Sequence, residues 1–289
     1  MPELPEVEVV KRSLEKKIKN LIIKKVVIND ANLRYKINQQ EISKLHGHKI
    51  KKIERRSKFL IFKTEKNLCI LVHLGMTGKL FFIDKKNNKH KTSFYYEINE
   101  DKDKKYDRVI FLLQNNRKLI YNDVRKFGFI KLLKTDKYLN CSHLKILGLE
   151  PLKNNCNFLY FKKYISGRIR RIKDILMDQK FISGLGNIYV NEILFLSGVR
   201  PQRKVTRLKD IEIVNILNNM KKILRKSIKV GGSTIKDFSS DDGKKGDFQQ
   251  YFNVYGREGK KCSNIDCNEK IKRIVISNRA TFFCKRCQK

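Results

Sequence analysis

The sequence predicts an α+β protein: a β-rich N-terminal part led by one helix, then a helical part ending in a small cysteine module with a β-hairpin. Three observations predict it. Short apolar runs with strand-like alternation fill residues 21–134. Helical spacing of apolar residues dominates from 157 to about 229. Four cysteines then gather between 262 and 287.

The elements follow in order. Residues 5–19 carry Val7, Val10, Leu14 and Ile18 with charges between them, an amphipathic helix. The runs LIIKKVVI, KFLIFK, LCILVHLGM, KLFFI, RVIFLL, KLIYND and FGFIKLL read as strands separated by Gly or Asn turns, and an antiparallel sandwich or barrel is their natural packing. Residues 84–105 are polar and charge-rich and read as a surface insertion, partly disordered. The expected segments are a β-sandwich over 1–134, a linker over 135–156 with Gly148 and Pro151, a helical domain over 157–250 and the cysteine module over 251–289. In the helical part, Ile172, Ile175 and Leu176 form one helix face. Gly184 and Gly186 break it, and a second helix runs from about Asn187 to Ser197. Gly231 and Gly232 open a Gly- and Ser-rich loop over 232–250. The run RIVISNRATFFCKRC reads as a hairpin with Ser277, Asn278 and Arg279 at its tip.

Charge points to a polyanionic partner. Lys and Arg number 66 against 29 Asp and Glu, a formal net charge of +37, far beyond what solubility needs. Part of the excess is composition bias, since Lys heavily outnumbers Arg as in an A/T-rich coding sequence. No signal-peptide core and no membrane-length apolar run is present, so a cytoplasmic protein is expected. In that reducing setting Cys69, Cys141 and Cys156 are expected to be ordinary thiols. Cys262 and Cys267, then Cys284 and Cys287, form two close pairs and read as a four-thiolate Zn2+ site, structural because no coordination position stays open.

Two further features carry chemistry. Once Met1 is trimmed, Pro2 carries a secondary amine, which titrates near neutrality, at roughly pH 7.7–8.0, and can attack an electrophilic carbon. Glu3 and Glu6 beside it can shuttle protons. The alternative reading is that Pro2 and Pro5 stiffen a helix start whose positive end the carboxylates favour. HLGMTG (73–78) offers Met76, and DVRKFG (123–128) offers Arg125 and Phe127, all on glycine-flanked turns. Read alone, Met76 or Phe127 is an ordinary strand-end core residue.

Taken together, MPELPEVE, HLGM, DVRKFG and IKDILMDQKFISGLGNIYVNE resemble the formamidopyrimidine-DNA glycosylase family, the MutM-type oxidised-purine glycosylases, along nearly the whole chain. The resemblance implies Pro2 as Schiff-base nucleophile, Glu3 as the acid of ring opening, and Lys58, in RRSKFLIF, as phosphate contact and acid of β-elimination. Ser57 stands where the family has a small residue. The same resemblance makes Met76, Arg125 and Phe127 the void-filling trio, with Arg125 on the orphaned cytosine, and sets Glu6 at the DNA. Val124 and Lys126 depart from the family's proline and second arginine. Tyr106 matches a family histidine that approaches DNA, with His90 as the other candidate. The helical part is similar to the helix–two-turns–helix motif, which places Lys173, Gly186, Asn187, Tyr189 and Arg168 near the DNA backbone, with Asn187 able to cap its helix. Residues 231–248 resemble the loop that caps the extruded purine. Arg279 matches the finger arginine of δ-elimination, and the family's first cysteine pair is two residues apart, against four here.

What this implies is a monomeric, nucleoid-associated bacterial glycosylase and lyase acting on damaged double-stranded DNA held in a basic cleft, with zinc and no small-molecule cofactor. The competing expectations are an oxidised-pyrimidine glycosylase of the endonuclease VIII type and a catalytically silent zinc-ribbon DNA-binding protein.

Overall fold

The computed structural model describes residues 1–93, 104–233 and 248–289. The chain forms two compact units. The first is Met1–Lys145 with the described residues of Gly231–Asp247, and the second is Ile146–Val230 with Phe248–Lys289. The division therefore falls inside the expected linker. Its second half belongs to the helical unit because Gly148 lies against backbone there: a Cβ at Gly148 would come within 1.9 Å of the Phe181 carbonyl oxygen. The amide of Gly148 donates to Gln179 O at 2.8 Å, and Leu149 bridges Ile182.

In the first unit, helix α1 (Leu4–Ile18) has Pro5 in its first turn, where the missing N–H leaves no helical bond unmade. A five-stranded sheet has the order β1 (Ile23–Ile28), β7 (Asp107–Leu113), β8 (Lys118–Asn122), β5 (Lys79–Ile83) and β6 (Lys89–Lys91). A four-stranded sheet has the order β2 (Ile50–Arg56), β3 (Phe59–Thr64), β4 (Leu68–His73) and β9 (Phe129–Lys134). Their inner faces and α1 enclose one core, including Val10, Leu14, Ile23, Phe62, Val72, Leu80, Phe111 and Tyr121. Every strand named from the sequence is present. Two were not foreseen: β2, whose IKKIERR buries just Ile50 and Ile53 at a spacing of three, and β6, inside the expected insertion. A short helix α2 (Gln39–Ser43) lies between β1 and β2.

In the second unit, α3 (Phe158–Ile165) is capped by the Asn157 side chain, which accepts from Tyr160 N at 3.0 Å. Helices α4 (Ile172–Met177), α5 (Asn187–Leu196) and α6 (Asp210–Lys229) follow and share a core around Phe181, Tyr189, Ile193 and Leu224. Hairpin β10 (Lys272–Ile276) and β11 (Arg279–Phe283) closes the chain. No helix among the described residues is long and apolar enough to cross a membrane.

Candidate active site

The start of α1 is enclosed. Pro2 is buried, Glu3 is 3% exposed and Glu6 is 1% exposed. Glu6 gathers three donors. Its Oε2 accepts from Glu3 N at 2.9 Å, and its Oε1 accepts from Ser233 N at 2.8 Å and Ser233 Oγ at 2.9 Å. One carboxylate thus fixes both the first turn of α1 and the residue from which the expected capping loop departs. Residues 234–247 of that loop, and 94–103 of the expected insertion, lie outside the described residues. Gly232, at φ +86°, would bring a Cβ to 3.1 Å from Glu6 Oε1, so the chain passes the carboxylate at backbone range.

Lys58 is buried at the two-residue turn between β2 and β3, where Arg56 pairs with Phe59. Ser57 occupies the left-handed region there, at φ +55°, which explains a small residue at this position. Arg55 secures the turn: it donates to Ser57 O at 2.9 Å and to Glu8 of α1 at 2.8 Å, with both side chains largely buried. The Lys58 turn is therefore tied to the helix that carries Pro2 and Glu3.

The two expected wedge segments meet. A Cβ on Gly75, at φ +62°, would lie 2.4 Å from Gly128 N, so glycine is needed for one turn to rest on the other. Buried Asp123 binds them together. Its Oδ1 accepts from Thr77 Oγ1 at 2.5 Å and its Oδ2 from Gly128 N at 2.9 Å, while Thr77 Oγ1 accepts from Arg125 N at 3.1 Å. This leaves Met76 40% and Phe127 44% exposed, with the Arg125 guanidinium 4.4 Å from the Phe127 ring centre. Met1, Arg34, His73, Met76, Arg125 and Phe127 line a cavity of roughly 550 Å³. His73 stacks on Phe129 at 5.6 Å and accepts from Gly75 N at 3.1 Å. Burial, then the charges of Lys58 and Arg34, push its imidazole down to about 4. Lys126 is itself left-handed, at φ +57°, and its Nζ pairs with Asp30 at 2.6 Å, a structural use for the residue that departs from arginine.

Tyr106 is half-buried beside the same turn, its carbonyl accepting from Asp123 N at 3.1 Å. His90 instead lies on edge strand β6, paired with Phe82, and bonds Asp84 at 2.8 Å.

In the second unit, Lys173 and Arg279 share a cavity of roughly 510 Å³ with Arg170, Asp174, Asp178 and Ser277. Lys173 is 1% exposed and donates to Thr281 Oγ1 at 2.6 Å. Burial lowers its ammonium to about 8, against the raising effect of Asp174, and Arg279 lowers it further. Arg168 is exposed, its guanidinium 4.4 Å from the Tyr164 ring centre. Two expectations need correction. Gly186, not Asn187, is the N-cap of α5, and Asn187 turns its amide to Ala280 O at 2.9 Å, tying the hairpin to the helix. Tyr189 does not face outward: it is 0% exposed and its hydroxyl meets Ser227 Oγ at 2.6 Å in the core. The resemblance places Tyr189 near the DNA backbone, but the helix is buried almost all round and its ring lies in the core.

The Sγ atoms of Cys262, Cys267, Cys284 and Cys287 all lie within 4.8 Å of one another, with Cys262–Cys287 at 3.8 Å and Cys267–Cys284 at 3.6 Å. Sulfurs bound tetrahedrally at ~2.3 Å sit about 3.8 Å apart, so the cluster fits a metal ion. The longer first pair folds as a small loop closed by the Lys261–Lys270 bridge, with the added length exposed at Ile265. Cys69 and Cys156 are fully buried, and burial raises both thiols to about 11, as inert core residues.

Sequence reasoning missed Asp123, the Arg55–Glu8 tie and Ser233. Asp123 opens the DVRKFG run, and a carboxylate two residues before an exposed arginine was the available signal.

The description "Formamidopyrimidine-DNA glycosylase N-terminal domain" matches residues 1–130, and "Formamidopyrimidine-DNA glycosylase H2TH domain" matches 147–239. Formamidopyrimidine-DNA glycosylase of Rickettsia bellii is 40% identical over the full length of both chains, and that of Roseobacter denitrificans 35%. A Lactococcus lactis FPG mutant, solved with Fapy-dG containing DNA, is 32% identical and superposes with a TM-score of 0.85 over 100% of both chains. The two matched domains, the full-length relatives and the shared fold show that the chain belongs to the formamidopyrimidine-DNA glycosylase family.

Proposed function

We propose that this chain is a bifunctional glycosylase and lyase of base excision repair that removes oxidised purines from duplex DNA, acting as a monomer in the cytoplasm at the nucleoid. The observation that carries the reading is the enclosed start of α1, where Pro2 is buried beside Glu3 and the hydrogen-bonded Glu6. Glu3 and Glu6 form the capping box of α1, so both carboxylates are held in fixed positions beside Pro2. Removal of Met1 frees the Pro2 nitrogen, which attacks sugar C1′ as the base leaves. Glu3 protonates the ring oxygen, and an iminium forms. Loss of a C2′ proton then expels the 3′ phosphate with Lys58 as acid, and a second elimination at Arg279 expels the 5′ phosphate, leaving a one-nucleotide gap. Exposed Met76 and Phe127 fill the place of the extruded nucleotide, and Arg125 faces the widowed base. Glu6 positions the root of the loop that closes over the purine. Tyr106, beside the Asp123 turn, takes the family histidine's place at the DNA more readily than His90 on its distant strand. Lys173, Gly186, Asn187 and Arg168 form the phosphate-binding side of the helical unit, with Asn187 acting from its place under the hairpin. The four thiolates hold Zn2+, which supplies folding energy to the finger and no reactive position.

The related Lactococcus lactis enzyme has also been solved with an oxidized pyrimidine containing DNA, so substrate range belongs in the test. Borohydride trapping on duplexes with 8-oxoguanine and with thymine glycol, followed by peptide mapping, should give a cross-link at Pro2, a preference for the purine, and no cross-link in Pro2→Gly. A cross-link at any lysine, or none in the native protein with Met1 removed, defeats the proposal.

A further inference from the structure

We propose that Asp174 is a positioning residue for Arg279, acting through Ser277 at the tip of the β10–β11 hairpin. Ser277 Oγ donates to Asp174 Oδ1 at 2.8 Å, joining the hairpin tip to α4. The tip is a two-residue turn, since Ile276 pairs with Arg279 across it. Both turn residues are left-handed, Ser277 at φ +48° and Asn278 at φ +57°. Such turns favour Asn and Gly, and a serine at the first position has no local means of holding that conformation. The bond to Asp174 supplies one from outside the turn.

Arg279 is the next residue. On its far side the strand is fastened at three consecutive positions. Lys173 and Asn187 reach Ala280 O at 3.3 and 2.9 Å, Lys173 reaches Thr281 Oγ1 at 2.6 Å, and Asn191 Oδ1 accepts from Phe282 N at 2.7 Å. Asp174 supplies the matching anchor on the near side, so Arg279 is carried between two fixed points. Asp174 lies on the wall of the same cavity as Lys173, Arg170 and Arg279, where a bare carboxylate would repel a phosphate. Its charge is engaged instead by Ser277 and by Arg171 Nε at 3.8 Å.

The consequence rests on the proposed role of Arg279 in the second elimination. In that step the C4′ proton leaves, its electron pair extends the conjugated iminium, and the C5′–O bond to phosphate breaks. A guanidinium set on the phosphate oxygens stabilises the departing charge, and that interaction is lost steeply when the donor is misplaced.

The test is a ratio within one reaction. The full-length protein is given duplex containing an abasic site, and the fraction of cut strands that proceeds from the unsaturated 3′ aldehyde to the 3′ phosphate is measured over time. With enzyme in excess, all DNA bound and a single turnover followed, loss of folded protein scales both products and leaves this ratio alone. Ser277→Ala and Asp174→Ala should each lower it about fivefold, the order expected for one hydrogen bond. The double variant should be no worse than either single one. Asp174→Asn should restore most of the loss, because its amide oxygen still accepts from Ser277. An unchanged ratio in Ser277→Ala, or additive losses in the double variant, overturns the clamp. Arg279→Ala run alongside separates the two readings. If it abolishes the second elimination while Ser277→Ala does not touch it, the clamp alone fails; if it leaves that step intact, the role given to Arg279 fails and the clamp with it.

Discussion

Asp123→Ala should damage the wedge more than any surface change near it. Asp123 is 0% exposed and accepts from Thr77 Oγ1 at 2.5 Å and Gly128 N at 2.9 Å, with the Tyr121 hydroxyl at 3.3 Å. Alanine removes a charged acceptor and leaves those donors enclosed. Two hydrogen bonds to an ionised group contribute roughly 1.5–3 kcal/mol each, so a loss of about 3–6 kcal/mol is expected. Asp123→Asn keeps one oxygen for Gly128 N and turns its amide to Thr77, whose hydroxyl can rotate to accept; about 1–2 kcal/mol is expected there. Urea unfolding followed through the β-sheet signal of far-UV circular dichroism measures both, and the two units require that separate transitions be resolved. The functional signature is selective. A loosened wedge impairs extrusion of a paired 8-oxoguanine more than attack on a preformed abasic site, so base excision should fall further than strand cleavage. A stability loss under ~1 kcal/mol in Asp123→Ala, against the ~1.5 kcal/mol minimum for one charged bond, would refute the reasoning. So would equal effects of Ala and Asn.

Two other outcomes are expected. His73 is held neutral in the fold, at about 4 against an ordinary 6.5, chiefly by burial. The unfolded chain therefore takes up a proton first: the stability His73 contributes is complete above pH 6.5 and is lost as pH falls from there toward 4, by at most about 3 kcal/mol. Urea midpoints at pH 7.5 and 5 should show this loss and His73→Gln should reduce it; identical pH slopes would count against it. Cys284→Ser should release the metal, unfold the finger and weaken DNA binding while the β-sandwich stays folded, as read by zinc content, fluorescence anisotropy and circular dichroism. Unchanged DNA affinity in that metal-free protein would remove the finger from the binding surface.

The sequence made the architecture legible through its short apolar runs and its helical spacing. Of the runs, β7 alternates strictly, whereas β3, β4, β5 and β8 are buried almost continuously, so their length and the turn residues between them marked them as strands, and the second helix was placed at its observed start. β2 escaped because Arg55, Arg56 and Glu54 look solvent-facing, whereas Arg55 is turned inward to Glu8. Of the candidate site, the sequence names residues but not their orientations. A motif position says that Tyr189 lies near a helix N-terminus, and only packing says that its ring points into the core. Lys173 shows the same gap: the resemblance places it near the DNA backbone, and its ammonium is already bonded to Thr281 of the hairpin. Ser233 was invisible for the opposite reason, since its partner Glu6 lies 227 residues away in sequence.

That long reach suggests how a chain with 66 basic and 29 acidic residues organises a site for a polyanion. Some bases hold turns in place, as Arg55 and Lys173 do, and a few buried acids do the same across long stretches of sequence. Glu6 joins α1 to Ser233, and Asp123 joins the two wedge turns. Glu192, 2% exposed, accepts from the amides of Asn253, Val254 and Tyr255 at 2.8–3.0 Å and so fixes the approach to the finger. Each collects a donor from a distant segment, backbone or hydroxyl, which a lysine or arginine could not do, having no acceptor. The acids shape the surface from within, and the excess positive charge is left outside, where each phosphate contact releases a counterion.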